Sequence, residues 1–419
     1  MTKPLLVAIE MGYGHLRAAI PLGDELGIEV LHADRPPTAG PREQSLWRWT
    51  RRYYEGWARL STLPLVGEPL RWALNELTHI PPLYPRRDLS APTTPVRLLS
   101  WLASRGLGAE LVAELRRSGK PLLTTFYTPA VLSALSGVEQ VSCVVTDSDI
   151  NRVWVPPRST AQRIRYFAPS ARAVRRLQSY GVGENQIELT GFPLPGELLG
   201  GPELPVARRN LAARLVRLDP SGVFRRRCGE ELERDLGPLP APTTPPRLTY
   251  AIGGAGAQAE LASIFLPSLA PLLRERRLSL TLVAGARPEV AVLLTAAIAA
   301  AGLGPDDVEV LFEPVYDHYF RRFHARLADT DILWTKPSEM TFFGALGLPL
   351  LLAPAMGVHE HENGRWARDL GCGLRPHDLS HVGEWLTDWL TDGTLAGAAW
   401  SGWQRMPRRG LYRIAAHYV

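Results

Sequence analysis

The stretch Leu5–His15, LLVAIEMGYGH, combines a short apolar run with a glycine-rich turn. Five consecutive apolar residues favour a β-strand that is covered on both faces, as in a parallel sheet. Gly12 and Gly14 allow the chain to turn tightly after the strand. The amphipathic pattern that follows predicts a helix, which Gly27 is suited to end, and residues 28–33 predict the next strand.

The same order of elements recurs in the second half of the chain. The run RLTYAI at residues 247–252 is followed by Gly253, Gly254 and Gly256 and then by a helical pattern. Further strands are predicted at residues 121–126, 140–146, 165–168, 186–190, 279–284, 308–312, 331–334 and 349–352. Because strands alternate with helices, we predict an α/β fold of two Rossmann-like domains that face a cleft.

A proline-rich segment separates the two halves. Residues 237–246, GPLPAPTTPP, contain five prolines and therefore cannot form a helix or a central strand. We predict an N-terminal domain at residues 1–236 and a linker at residues 237–246. The second domain is then expected at residues 247–395, with a terminal helix at residues 396–419.

Composition excludes several classes of protein. The 419 residues carry a net charge of only +5, which is too small for a dedicated nucleic-acid binder. Cys143, Cys228 and Cys372 show neither a metal-ligand spacing nor a disulfide framework, so we expect a reducing, cytoplasmic environment. No apolar run reaches the ~18 residues of a membrane span, and the N-terminus lacks the pattern of a signal peptide.

His15 follows the first glycine loop and falls on the first turn of the predicted helix. The positive end of the helix dipole disfavours a protonated imidazole, so we expect a neutral ring. A neutral imidazole beside a ligand can act as a general base. The alternative interpretation is a hydrogen-bonded histidine with a structural role.

Four segments, in this order along the chain, resemble the GT-B glycosyltransferases. That group includes monogalactosyldiacylglycerol synthase and the peptidoglycan N-acetylglucosaminyltransferase that forms lipid II. The matching segments are residues 12–19 (GYGHLRAA); residues 144–147 with 167–170 and 190–193 (VVTD, FAPS, TGFP); residues 253–256 (GGAG); and residues 335–341 with 359–363 (TKPSEMT, HEHEN).

The resemblance implies that the C-terminal domain holds a nucleoside diphosphate sugar, with UDP as the nucleotide, and that the N-terminal domain holds the acceptor. It also implies inversion at the anomeric carbon without a metal or another cofactor. His15 matches a loop histidine that activates the acceptor hydroxyl. Asp147 is a second candidate base, or else a cap of the turn after its strand. The last helix is expected to return to the first domain.

The resemblance also implies a set of donor-binding residues. The glycine loop at residues 253–256 would face the diphosphate, and backbone groups near Val315 would hold the base. Ser338 and Thr341 offer hydroxyl and N–H groups for phosphate, and the alternative interpretation is an ordinary helix N-cap. The implied donor set is Gly253, Gly254, Gly256, Val315, Ser338, Glu339, Met340, Thr341, His359, Glu360 and Asn363.

Three positions depart from the family pattern. Gly344 stands where the family usually has a glutamate that grips the ribose, so either Glu339 substitutes for it or the ribose is held differently. His359 replaces a glutamine of the sugar loop, and Asn151 stands where diacylglycerol galactosyltransferases have histidine. These departures leave open a divergent subfamily with other substrates.

The window Arg42–Arg87 is rich in aromatic and basic residues, with eight basic and four acidic side chains. Trp49, Tyr53 and Trp57 recur at helical spacing. Such a helix can lie on an anionic membrane surface, or it can pack on the N-terminal sheet with its arginines in water. The resemblance to enzymes with lipid acceptors favours the membrane. We therefore expect a cytoplasmic protein that is peripheral on the inner face of the cell membrane.

The sequence leaves three functions open. The first is transfer of a hexose or N-acetylhexosamine to a lipid or lipid-linked acceptor. The second is a UDP-sugar 2-epimerase-like isomerase on the same fold, for which no set of cleft carboxylates can be assigned. The third is a non-catalytic protein that binds a nucleotide sugar or a lipid, which Gly344 suggests.

Overall fold

The computed structural model describes residues 2–9, 13–47, 79–157, 161, 163–241, 244–251 and 258–419. The elements before residue 190 are, in chain order, β1 (Leu5–Ala8), α1 (Gly14–Leu26), β2 (Val30–His32), α2 (Thr94–Ser104), α3 (Ala109–Ser118), β3 (Leu122–Thr124), α4 (Tyr127–Leu135), β4 (Val141–Val144), β5 (Ile164–Ala168), α5 (Ala171–Ser179) and β6 (Ile187–Leu189). Residues 41–47 are also helical.

The later elements follow the same alternation. They are α6 (Gly196–Leu199), α7 (Pro205–Arg217), α8 (Val223–Leu236), β7 (Arg247–Ala251), α9 (Ala262–Arg274), β8 (Ser279–Gly285), α10 (Pro288–Ala300), β9 (Val308–Phe312), α11 (Tyr316–Asp329), β10 (Ile332–Thr335), the 3₁₀-helix Glu339–Leu346, β11 (Leu350–Leu352), α12 (Val358–Asp369), β12 (Gly373–Leu374), α13 (Val382–Thr391), α14 (Thr394–Arg405) and α15 (Gly410–Ala415).

The strands form two parallel sheets of six strands each. The first has the order β2-β1-β3-β4-β5-β6 and the second has the order β12-β11-β10-β7-β8-β9. In each sheet the strand order reverses beside its first strand, between β1 and β3 and between β7 and β10. Ligands of open α/β sheets bind at the carboxyl ends of the strands at such a switch point.

Burial explains why these short segments become strands. All residues of β3 and of β10 are buried, as expected for parallel strands that are covered by helices on both faces. One core of the first sheet contains Val7, Leu122, Cys143 and Tyr166, each fully buried and each from a different strand. The predicted α/β fold with two Rossmann-like domains is therefore confirmed.

The chain divides into two compact units, but not where the sequence predicts. The first unit contains residues 1–193, 356–362 and 409–419, and the second contains residues 194–355 and 363–408. Residues 194–236, which the sequence assigns to the first domain, belong to the second. The proline-rich segment at residues 237–246 lies inside the second unit and does not mark the boundary.

Two arginines of α7 explain this assignment. The buried Arg214 donates from Nε to the carbonyl of Thr330 at 2.9 Å and from Nη1 to that of Leu346 at 2.7 Å. Arg217 makes a bidentate ion pair with the buried Asp331, at 2.8 and 2.7 Å. Burial lowers the pKa of Arg214 to about 10 and raises that of Asp331, against the pull of Arg217. The proline-rich segment therefore does not mark the domain boundary. The buried polar contacts of α7 place this helix in the second unit.

The C-terminal segment returns to the first unit, as predicted, but it does so later in the chain. Helix α14 stays in the second unit, and residues 409–419 join the first. Helix α15 packs on α1, and His417 Nε2 lies 2.7 Å from Glu188 Oε2. Gly410 is required here, since a Cβ atom would lie 2.4 Å from the carbonyl oxygens of residues 191 and 192.

The C-terminal tryptophans pack within the second unit. The rings of Trp385 and Trp334 are 6.3 Å apart, and those of Trp385 and Trp389 are 4.7 Å apart. Trp403 is buried beneath the guanidinium of Arg408, whose Cζ lies 4.0 Å from the ring centroid. All of these residues belong to the second unit, so the tryptophans contribute to its own core.

The structure describes only part of the aromatic and basic window. Trp47 is half-buried and packs against the core of the first sheet. Trp49, Tyr53 and Trp57 lie outside the described residues. Within the part of the chain that the structure describes, no helix combines the length and the apolar character needed to cross a membrane.

Candidate functional site

His15 lies at the switch point of the first sheet, on the first turn of α1. Its Nδ1 atom is 2.7 Å from the carbonyl oxygen of Thr125, and the Thr125 hydroxyl donates to the carbonyl of His15 at 3.0 Å. The Thr146 hydroxyl is 3.4 Å from Nδ1, and the edge of the Phe126 ring meets the imidazole at 4.7 Å. Thr125 and Thr146 follow β3 and β4, so three neighbouring strand ends hold this ring.

This geometry determines where the proton lies on His15. A carbonyl oxygen only accepts, so Nδ1 must carry the hydrogen that bonds to Thr125. When the ring is neutral, Nε2 then carries the lone pair. A structural role and a role as general base are therefore compatible for His15. The hydrogen bond to Thr125 holds the ring in place, and it also selects the tautomer in which Nε2 can accept a proton.

Asp147 lies in the bend that follows β4 and is half-buried. Its neighbour Thr146 reaches His15, so the ends of β1 and β4, on either side of β3, bring the two candidate bases to the same edge of the sheet. Gly14 is the first residue of α1, and Gly12 lies outside the described residues. A base role for Asp147 stays a prediction.

A buried ionic network lies beside this loop, and the sequence analysis missed it. The fully buried Asp149 binds Arg176 at 2.7 and 3.0 Å and Arg172 at 3.0 Å. Arg172 also binds Glu362, the fourth residue of the HEHEN segment. Burial alone would lower the pKa of Arg176, but Asp149 raises it. The sequence does carry one indication of this network, because Arg172 and Arg176 are four residues apart and therefore lie on one face of α5.

The segment Thr335–Thr341 lies at the switch point of the second sheet, after β10. The side chain of Ser338 accepts from the N–H of Met340 at 3.5 Å and so caps the 3₁₀-helix. The Thr341 hydroxyl donates to the Ser338 carbonyl at 2.9 Å. Glu339, Met340 and Thr341 are buried. Ser338 is thus an N-cap in the structure. The N-terminus of this 3₁₀-helix lies at the edge of the sheet where α/β folds bind phosphate.

The second glycine loop follows β7, which is the strand next to β10. Gly253, Gly254 and Gly256 themselves lie outside the described residues. The residue at the end of that loop, Gln258, accepts from the Tyr250 hydroxyl at 2.7 Å and donates to the Pro354 carbonyl at 2.6 Å. Because β7, β10 and β11 are neighbouring parallel strands, their carboxyl ends lie at one edge of the sheet.

The HEHEN segment belongs to two units, which the sequence does not indicate. His359 and Glu360 lie in the first unit and Asn363 lies in the second. Glu360 accepts from the N–H of Met356 at 2.8 Å, and His359 is half-buried. Asn363 is fully buried, and a Cβ on the next residue, Gly364, would lie 3.1 Å from Pro337. Asn363 is therefore near the segment at residues 335–341.

Val315 lies at the edge of the second sheet, after β9, and is 49% exposed. Its carbonyl accepts the first helical hydrogen bond of α11, from Tyr319 at 2.8 Å. The carbonyl of Phe312 accepts from Arg322 at 3.1 Å. Since β8 separates β9 from β7, Val315 is further along the sheet edge than the other donor candidates.

Gly344 has a packing role that the comparison with the family pattern did not predict. A Cβ at this position would lie 3.0 Å from the sulfur of Met406 and 3.1 Å from that of Cys372. The Gly344 carbonyl approaches Gly402 of α14 so closely that a Cβ there would be 2.4 Å from it. Residue 344 therefore faces α14 and the core, and a glutamate at this position would be buried.

The described residues contain no candidate metal-binding group. Nowhere among them do three or more His, Cys, Asp or Glu side chains form a group that could hold a metal ion. Cys143 and Cys372 are buried free thiols, and burial raises the pKa of Cys372 to about 12.

The fold is similar to that of known proteins, whereas the sequence as a whole matches no protein-family model and no curated protein. MnaA from S. aureus, solved with UDP, covers 100% of this chain and 96% of its own at 14% identity and a TM-score of 0.50. MurG from Acinetobacter baumannii covers 99% of both chains at 11% identity and the same TM-score.

A third similar structure is that of a Listeria monocytogenes protein assigned as a UDP-N-acetylglucosamine 2-epimerase. It covers 99% of this chain and 95% of its own, at 13% identity and a TM-score of 0.50. At these identities the likeness concerns the fold alone. With the two six-stranded parallel sheets, it confirms the GT-B architecture.

Proposed function

We propose that this protein is an inverting glycosyltransferase. It moves a hexose or N-acetylhexosamine from a nucleoside diphosphate sugar, with UDP as the nucleotide, to a lipid-linked acceptor. The observation that carries the proposal is the fixed tautomer of His15 at the switch point of a parallel sheet. A similar fold that was solved with UDP supports the nucleotide.

His15 acts as the general base in this proposal. The acceptor hydroxyl attacks the anomeric carbon of the sugar, and its proton passes to Nε2 of His15. The bond from that carbon to the diphosphate breaks, the nucleoside diphosphate leaves with the electron pair, and the configuration inverts. The Thr125 carbonyl, 2.7 Å from Nδ1, stabilises the imidazolium that forms. Asp147 is the second candidate base.

The switch point of the second sheet holds the donor in this proposal. The loop at residues 253–256 and the N-terminus of the 3₁₀-helix after Ser338 supply N–H groups that offset the negative charge of the diphosphate. In the second unit, the proposed donor residues are Glu339, Met340, Thr341, Asn363 and Val315, and His359 and Glu360 are donor candidates from the family pattern alone. No metal or other cofactor takes part in the proposed reaction.

Gly344 bears on the third alternative, a non-catalytic binder. The glycine is explained by its packing against Met406 and Cys372. Packing therefore gives a reason for this glycine that does not involve a loss of catalysis. The epimerase-like alternative remains the second candidate function, because the Listeria monocytogenes structure supports it.

The proposed place of work is the cytoplasmic face of the cell membrane. The window Arg42–Arg87 has a net charge of +4, eight basic minus four acidic residues, and would be attracted by anionic lipids at ~1 kcal/mol per nearby cation. This attraction would keep the first unit close to a lipid acceptor.

A thermal-shift screen with UDP, GDP, TDP and their sugars tests the donor class. At 100 times its Kd, a bound nucleotide adds about 2.7 kcal/mol to the free energy of unfolding. Incubation of the stabilising sugar nucleotide without acceptor then separates the two candidate functions. An epimeric sugar as product would support the isomerase and contradict the transferase.

His15→Asn tests the base. We expect a loss of roughly 10²–10⁴-fold in kcat with donor affinity unchanged, because only the proton acceptor is removed. His381→Asn is the matched control, since the side chain of His381 is 59% exposed and lies in the second unit. Full transfer activity in His15→Asn, measured with labelled donor, would contradict the role given to His15.

A further inference from the structure

A pocket in the first unit is lined by four arginines. It lies between the loop before residue 90 and the second half of α5 and has a volume of about 290 Å³. Arg86 and Arg87 come from the loop, and Arg175 and Arg176 come from the helix. Among the residues that the structure describes, no acidic side chain lines it. Such a density of cations around one cavity is unfavourable unless an anion balances it.

The charges of the pocket are only partly balanced within the chain. Arg176 is 1% exposed, and its ion pair with Asp149 neutralises it. Arg86, Arg87 and Arg175 form no ion pair with any residue in the described part of the chain. Two nitrogens, Nε of Arg175 and Nη1 of Arg176, are buried without a hydrogen-bond partner among the described residues. A buried donor that lacks a partner costs about 1–3 kcal/mol, so the pocket has unused hydrogen-bonding capacity.

The walls of the pocket are fixed before any ligand arrives. The N–H of Leu89 donates to the carbonyl of Ser179 at 2.8 Å, which joins the loop to the end of α5. Arg176 Nη2 donates to the Pro81 carbonyl at 2.5 Å and anchors the other end of the loop. Because binding would not have to order these elements, it would incur little conformational cost.

We propose that this arginine pocket binds the oxyanions of a phosphate group. Guanidinium groups present forked donors that match phosphate geometry, and several together distinguish phosphate from a single carboxylate. A volume of about 290 Å³ suits one phosphate-bearing group more than a whole nucleotide. The proposal does not depend on the proposed transferase activity, and the pocket does not include His15.

The source of the phosphate is either a phospholipid headgroup or a phosphate free in solution. Leu83 and Leu89 line the pocket beside the arginines and would contact hydrocarbon next to a phosphodiester. Tyr84, beside Leu83 in the sequence, is 62% exposed. The test therefore has one arm for each source.

In the first arm, the full chain is titrated with inorganic phosphate by calorimetry. In the second, it is sedimented with phosphatidylcholine vesicles that contain or lack phosphatidylglycerol. The variants are Arg86→Gln, Arg87→Gln, Arg175→Gln, the triple variant, and Arg175→Lys, which keeps the charge but not the fork. Arg97→Gln is the matched control, because Arg97 is exposed on α2 of the same unit and lines no part of the pocket.

We expect wild-type protein to bind phosphate and each glutamine variant to bind about fivefold more weakly, with Arg175→Lys between the two. The triple variant should not bind, and Arg97→Gln should match wild type. Loss of binding to phosphatidylglycerol vesicles in the triple variant assigns the site to lipid. Unchanged vesicle binding with lost phosphate binding assigns it to a soluble phosphate.

Two results would overturn the proposal. One is a wild-type protein that binds neither phosphate nor phosphatidylglycerol vesicles. The other is a triple variant that binds both as tightly as wild type. Thermal midpoints and UDP-induced shifts of each variant show whether the fold and the nucleotide site persist, so failure here is distinguishable from failure of the transferase proposal.

Discussion

At the scale of single residues, Gly344 has almost no room for a side chain. We expect Gly344→Ala to lower the free energy of unfolding by about 1–3 kcal/mol, because the new methyl group would lie 3.0–3.2 Å from Met406 and 3.1 Å from Cys372. Its affinity for UDP should be unchanged, since residue 344 faces α14. Denaturant unfolding and nucleotide titration measure the two effects separately.

Gly229→Ala is the matched control in the same unit. Apart from its chain neighbours and its own helix backbone, no described atom lies within 4 Å of a Cβ placed there, and alanine is favoured over glycine in helices by roughly 1 kcal/mol. It should be neutral or stabilising. If Gly344→Ala were also neutral but weakened UDP binding, the packing explanation would be wrong and a ligand role for this position would return.

Asp149 holds two arginines with one carboxylate, and all three groups are largely shielded from water. We expect Asp149→Asn to cost about 3–5 kcal/mol, because Arg176 would remain buried without its counter-charge. Thermal unfolding of the full chain gives the measurement.

Glu114→Gln is the comparison for Asp149→Asn. The arginine that pairs with Glu114, Arg117, is 75% exposed, and such exposed pairs contribute ~0–1 kcal/mol. Equal losses in the two variants would show that burial does not govern the Asp149 network.

At the scale of elements, α7 shows how a helix can be assigned to the wrong domain. Arg217→Gln should destabilise the second unit by about 3–5 kcal/mol, because Asp331 is fully buried and loses its bidentate partner. Adding Asp331→Asn should restore part of that loss, since the uncompensated charge is removed. A double-mutant cycle by chemical denaturation measures this coupling. Strictly additive losses would contradict it.

The strands and the helices after them were predictable because their signals are local. An apolar run followed by glycine at residues 5–14 is sufficient to predict β1, the turn and the start of α1. The strand order is not local, and it is what brings Thr125 and Thr146 onto His15. The two-residue β12 is too short to leave a pattern, and its backbone pairing with β11 defines it.

The candidate site was predictable where a motif and a strand end coincide, as at His15 and Ser338. It was not predictable where partners come from distant parts of the chain. Arg172 and Glu362 are 190 residues apart and meet only in the folded first unit. The role of Gly344 was hidden for the same reason, because Met406 and Cys372 reach it through tertiary packing.

At the scale of the whole molecule, the units differ from the domains that proline density predicts. A fragment of residues 194–408 should fold and melt cooperatively, whereas a fragment of residues 247–395 should not. The shorter fragment lacks α7, so Asp331 loses Arg217 and the carbonyls of Thr330 and Leu346 lose Arg214. Near-ultraviolet circular dichroism during heating checks both. Cooperative melting of the shorter fragment would restore the sequence-based boundary.

The return of residues 409–419 to the first unit has a consequence for biosynthesis. A ribosome that has just added Pro193 must add 226 further residues to reach Val419, which at ~5–20 residues per second takes roughly 11–45 s. Throughout that interval the face of α1 that receives α15 stays uncovered. Nascent chains of this protein are therefore expected to depend on chaperones until α15 has been made, even though the first sheet emerges early.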